Sequence, residues 1–141
     1  LDKMSDRLGH PPFHFDVGQF TAGTLEATAF IGGKSVANHR VDTPDAPQRL
    51  TVSLDDSGVS ATAGDLIFAR ASIVDGRFRP VPISGQAIHF EASGDYEIVG
   101  DTKSTTEGGE ASVLVRVKRA SPVGTVRASG AQLDGTLPTT F

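Results

Sequence analysis

The chain has 141 residues, of which 38% are hydrophobic and 21% charged, and a formal net charge of −4. That supplies apolar material for a packed core, argues against wholesale disorder, and gives length for one domain or one domain with part of another. Acidic and basic residues are interspersed, so no basic stripe offers nucleic acid a surface; no apolar run nears the roughly 20 residues that cross a bilayer; and the absence of cysteine excludes disulfides, thiolate metal ligation and thiol catalysis.

The opening stretch, LDKMSDRLGHPPFHFDV, starts on Leu1, has no charged-then-apolar targeting pattern, and reaches a proline-stiffened aromatic segment within fifteen residues. It reads as the continuation of something larger. Residues 12–17, PFHFDV, alternate Phe13 and Phe15 against His14 and Asp16, which predicts a strand. Two β-rich runs over residues 24–42 then break at Gly32-Gly33, a pair that takes positive φ freely and therefore predicts a hairpin. Leu25, Ala27, Ala29 and Ile31 share one face while Phe30 lies on the other, so the strand pair is expected to be covered on both faces.

TPDAPQ, residues 43–48, carries two prolines and an aspartate and reads as a linker over 44–48. Beyond it the alternation is regular. Leu50, Val52 and Leu54 form one row; Ile67, Ala69, Ala71 and Ile73 a second; Ile88, Phe90 and Ala92 a third. A short strand at YEIVG, a row of Ala111, Val113, Val115 and Val117, and Val126 with Ala128 follow. About seven short strands with turn signals every 8–12 residues are the pattern of an immunoglobulin-like β-sandwich. The fold class expected is therefore all-β: residues 49–141 form an Ig-like sandwich, preceded over 1–43 by a truncated β-sandwich segment. About three strands before the linker make only half of a two-layer domain. The hairpin at 24–42 should then leave unpaired edges able to pair with a second copy or with neighbouring domains.

Several residues on these elements match a family. His10-Pro11-Pro12-Phe13, Gly23-Thr24-Leu25, Gly33-Lys34, Val36-Ala37, Thr43-Pro44, Asp65-Leu66, Phe68, Val81-Pro82, Phe90 and Gly94 fall as they do in the C-terminal region of bacterial glycoside hydrolase family 2 enzymes of the beta-galactosidase type. The chain resembles that region over nearly its whole length, most specifically across residues 8–54, and departs from it at Ala22, where the family has proline. The resemblance implies a retaining glycosidase as parent, with two carboxyl groups about 5 Å apart, held in a barrel outside these residues. No catalytic position carries over. The implied role is a non-catalytic accessory region whose partners are the remaining domains of the parent.

Local constellations are weaker. His10 and His14 flank two prolines that forbid a helix, so no metal site is expected from them. Asp55, Asp56, Asp65 and Asp75 each adjoin a turn, where aspartate bonds the backbone locally rather than calcium. Glu91, Glu97, Glu107 and Glu110 sit on outward or loop positions with no barrel to hold a glycosidase pair. No cofactor is implied. For contact with sugar or a neighbouring domain the candidates are Phe78 and Tyr96, with Arg77 and Arg79 as a polar rim; Phe20 is a further exposed ring, the other phenylalanines falling mostly on core-facing or hairpin positions. Two other functions share these features: a bacterial surface Ig-like interaction module in a tandem array, on the strength of DGRFRPVP, and a carbohydrate-binding module.

Overall fold

The computed structural model describes residues 13–55, 58, 60–130 and 133–139. It divides into two compact units, Leu1–Thr43 and Pro44–Phe141.

In the first unit, β1 (Thr24–Ile31) and β2 (Lys34–Asp42) form an antiparallel two-stranded sheet. Gly32 (φ 56°) and Gly33 (φ 77°) make the turn; both lie in the left-handed region, as a two-residue hairpin loop matched to strand twist requires. The register shifts between Ala29 and Phe30. At the open end Thr43 N donates to Gly23 O (2.8 Å) and Gly23 N to Thr43 Oγ1 (3.0 Å). One face is polar and bonded within itself: Asn38 Nδ2 donates to Glu26 Oε1 (2.6 Å) and Thr28 Oγ1 (3.1 Å), and Arg40 Nε donates to Asp42 Oδ1 (3.0 Å). The other face sets Leu25 against Val41 and Ala29 against Ala37. This second face carries the apolar row, while the exposed Phe30 lies on the first. The strand expected at 12–17 does not form over the described residues: 13–23 contain no strand, and Gly18 N donates to Asp16 Oδ1 (2.9 Å), so the aspartate draws the backbone into a turn.

The second unit is a two-sheet sandwich. β3 (Arg49–Asp55), β4 (Leu66–Val74), β8 (Glu110–Val117) and β6 (Tyr96–Val99) form one sheet in the order β3-β4-β8-β6; β10 (Leu133–Thr139), β9 (Gly124–Gly130), β5 (Ala87–Gly94) and β7 (Lys103–Thr105) form the other in the order β10-β9-β5-β7. The first order is that of an Ig A-B-E-D sheet and the second that of G-F-C with an added edge strand. Inward rows from both sheets meet in one core: Leu50 and Val52; Ala69, Ala71 and Ile73; Ile88 and Phe90; Ala111, Val113, Val115 and Val117; Val126 and Ala128. These are the rows that the alternation predicts.

Two strands, β7 and β10, were not legible. β7 has three residues and no apolar repeat. β10 reads LDGTLPT, and its glycine and proline argue against a strand interior. The fold uses both: β10 is an edge strand, where proline is tolerated, and a Cβ on Gly135 would stand 2.5 Å from the Leu50 carbonyl oxygen.

The phenylalanines depart from expectation. Among the described residues only Phe90 lies in the core, whereas Phe13, Phe15, Phe20, Phe30, Phe68 and Phe78 are exposed. The core is filled mainly by β-branched and small side chains.

Candidate functional site

The connection from β4 to β5 is held by one buried carboxylate. Asp75 is fully buried and accepts four hydrogen bonds: Oδ1 from Arg77 N (2.8 Å) and Arg79 N (2.9 Å), Oδ2 from Asp45 N (2.9 Å) and Arg79 Nε (2.7 Å). Burial by itself would raise its pKa. The backbone donors at Asp45, Arg79 and Arg77, with the Arg79 side chain, outweigh burial and hold the carboxyl well below the usual carboxylate range. Arg79 continues outward, its Nη2 donating to Asp45 Oδ2 (2.6 Å). The segment expected to be a linker is therefore fastened to the sandwich: Asp45 is bonded twice, and Gln48 N donates to Val74 O (2.9 Å).

The turn itself has an unusual occupant. Phe78 N donates to Asp75 O (3.1 Å) and Asp75 N to Arg79 O (3.0 Å), closing a three-residue loop. Such loops place a residue in the left-handed region after the turn, normally glycine. Here Phe78 takes that position, with φ 61°, and Gly76 does not. A Cβ on Gly76 would meet Gln48 Oε1 at 2.8 Å, the far end of a flexible side chain that can move aside. A bulky residue at positive φ costs about 1–3 kcal/mol. The Phe78 ring is 60% exposed, and the Arg49 guanidinium lies over it, 4.5 Å from its centroid. An exposed cation–π contact returns about 0.5–1 kcal/mol, which does not offset the strain.

The four predicted contact residues are thus separated by the fold. Phe78 and Arg77 are exposed on the loop. Arg79 is turned to Asp75 and Asp45 and serves as an internal strut rather than as rim. Tyr96 is 2% exposed and packs in the core from the start of β6, so it offers no exposed face to a sugar or a neighbouring domain. Sequence reading missed Arg49, which begins β3 and reaches Phe78 only through the pairing of β3 with β4, where Arg49 stands opposite Val74.

Among the described residues, concave regions lie elsewhere, and two are well formed. The larger, about 810 Å³, is an open cleft lined by charges of both signs and hydroxyls, among them His89, Glu91, Lys118, Thr125 and Arg127. The smaller, about 330 Å³, is lined chiefly by Leu54, Ala61, Ile67 and Pro122. Of the larger cleft's rings, Phe90 and Tyr96 are buried, and the half-exposed imidazole of His89 is the one presented there. Among the described residues no group of three or more His, Asp or Glu could hold a metal ion. Asp65 makes a local turn, its Oδ2 accepting from Thr62 N (2.7 Å), and Asp55 pairs with Arg70 (2.7 Å); His10 and Asp56 lie outside the described residues.

No protein-family model matches the chain. Over 121 residues it is 29% identical to a beta-galactosidase of Thermoanaerobacter pseudethanolicus, a match covering 79% of this chain and 16% of that protein. Over 112 residues it is 28% identical to a beta-galactosidase of Rhizobium meliloti, covering 72% and 15%. In fold it is similar to part of a glycosyl hydrolase family 2 member from Bacteroides cellulosilyticus, with TM-score 0.74, 19% identity, and 86% of this chain and 19% of that chain covered. A beta-glucuronidase from glycoside hydrolase family 2 gives TM-score 0.74 at 21% identity, over 92% of this chain and 16% of the other. The chain spans about a sixth of the length of the curated relatives it matches.

Proposed function

We propose, on the premise that the resemblance to family 2 glycoside hydrolases of the beta-galactosidase type stands in sequence and in fold, that this chain is a non-catalytic support and docking region of such an enzyme. The observation that carries the reading is the contrast between the size of the match and the surfaces presented. The chain answers to about a sixth of the relatives, and it exposes apolar side chains in defined places: Leu25 and Val41 on one hairpin face, and Phe78 on the β4–β5 loop. Surfaces of that kind mark interaction sites. Glu91, Glu97, Glu107 and Glu110 are exposed on strands or turns, and Asp75 is spent on its four donors, which supports placing the glycosidase carboxyls outside this chain. The remaining domains of the parent are the proposed partners, and the hairpin edges over 24–42 are a second route to association, with another copy.

Two measurements test this. The isolated chain should release no nitrophenol from nitrophenyl β-galactoside or β-glucuronide. Removing residues 1–141 from the longer polypeptide should lower its Tm or break its assembly while leaving the catalytic carboxyls in place. Hydrolysis by the isolated chain, or a longer polypeptide indifferent to the removal, overturns the proposal.

A further inference from the structure

We infer that the Asp75–Pro80 loop is a preorganised docking knob, with Phe78 as its anchor, for an apolar socket edged with carboxylates on another domain of the same polypeptide. The inference rests on the support-and-docking reading and names the element that docks.

Four observations converge on it. A phenylalanine occupies the left-handed position of a turn where glycine would be unstrained, and its ring points to solvent, 60% exposed. The conformation is enforced rather than incidental, because buried Asp75 accepts from Arg77 N and Arg79 N, the residues on either side of Phe78. Strain that the surroundings over-determine is a feature of binding loops, where the ordering cost is met before the partner arrives. The charge around the ring is net positive: Arg49 stacks on it and Arg77 is exposed beside it, against the one negative charge left over where Arg79 pairs with both Asp75 and Asp45. An aromatic anchor flanked by arginine is the composition of an interface hot spot, and its complement is an apolar pocket with an acidic border.

A saccharide is the other ligand that stacks on aromatic rings, and the geometry disfavours it. Neither cleft includes Phe78, and Arg49 already covers part of the ring. A convex ring with one side occupied fits a socket better than it cradles a sugar.

Phe78→Gly separates these cases, because glycine takes φ 61° without strain. In the isolated chain its Tm should hold or rise by a few degrees, about the shift expected on removing local strain. In the longer polypeptide the same change should lower the Tm of the first transition and raise amide exchange around residues 75–80. Arg77→Glu, at an exposed position, should weaken the same contact at low salt and lose its effect at high salt. A Tm that falls equally in the isolated chain makes the ring an internal strut and overturns the inference. A longer polypeptide unmoved by both variants, yet destabilised when residues 1–141 are removed, overturns the knob and leaves the support role intact; if the removal also has no effect, both fail. Heat from lactose or galacto-oligosaccharide titration that Phe78→Gly abolishes assigns the ring to sugar instead.

Discussion

The hairpin of residues 24–42 and the sandwich of residues 49–139 are written in the same alternating code, yet they differ in what the code accomplishes. In the sandwich each inward row meets another: Val115 and Val117 on β8 share a core with Phe90 on β5 and Val126 on β9, all fully buried. In the hairpin the equivalent row remains open, with Leu25 58% and Val41 54% exposed. Alternation states which face of a strand is apolar. It does not state that an opposing layer exists, and burial needs both. A two-stranded sheet by itself is marginal, so the hairpin draws its order from its Gly32-Gly33 turn and from the side-chain bonds of its polar face.

That contrast can be broken or sharpened by substitution. Phe90→Ala, in the middle of the sandwich core, should cost about 3–5 kcal/mol in chemical denaturation, with loss of the cooperative transition at 37 °C if the unit is only marginally stable. Asp75→Asn should come next, because it removes the charge that four donors address while retaining the shape. The sign of its pH dependence follows from the lowered pKa. The stabilisation is complete above the unfolded-state value of about 3.9 and is lost as pH falls from there toward the lower folded value. The native chain should therefore lose Tm steeply on acidification below about pH 4, and the Asn variant should lose less over the same interval. Leu25→Ser, on the open hairpin face, should change the stability of the isolated chain by no more than about 0.5 kcal/mol, while amides of 24–42 exchange faster than those of β4, β5 and β8. A cost for Leu25→Ser approaching that of Phe90→Ala would mean that the hairpin face is buried in the isolated chain, and the contrast would disappear.

Much of the sandwich was legible because its signal is local. Val at 113, 115 and 117 needs only a period of two to declare a face, and Gly32-Gly33 needs only its freedom at positive φ to declare a turn. The candidate site was legible in part. DGRFRP marked a turn and put Phe78 and Arg77 on it, but not which residue would carry the positive φ. That depended on Asp75 fixing both neighbours of Phe78 while Asp45, 30 residues away in sequence, donates to the same carboxylate. Tyr96 and Arg79 were misplaced for the same reason. An aromatic ring and a guanidinium look equally available in a sequence, and only packing shows that one fills the core and the other closes an ion pair.

The sequence alone thus determined strand faces, turns and the all-β class, since these follow from side-chain period and backbone freedom within a few residues. The tertiary structure decided which faces found a partner, which phenylalanines stayed in water, and how a carboxylate at position 75 fastens the chain at 45 and holds a strained ring outward. Burial is set by groups far apart along the chain, and the carboxylate that holds Phe78 strained is itself shared with a segment 30 residues away, so no local pattern encodes their meeting.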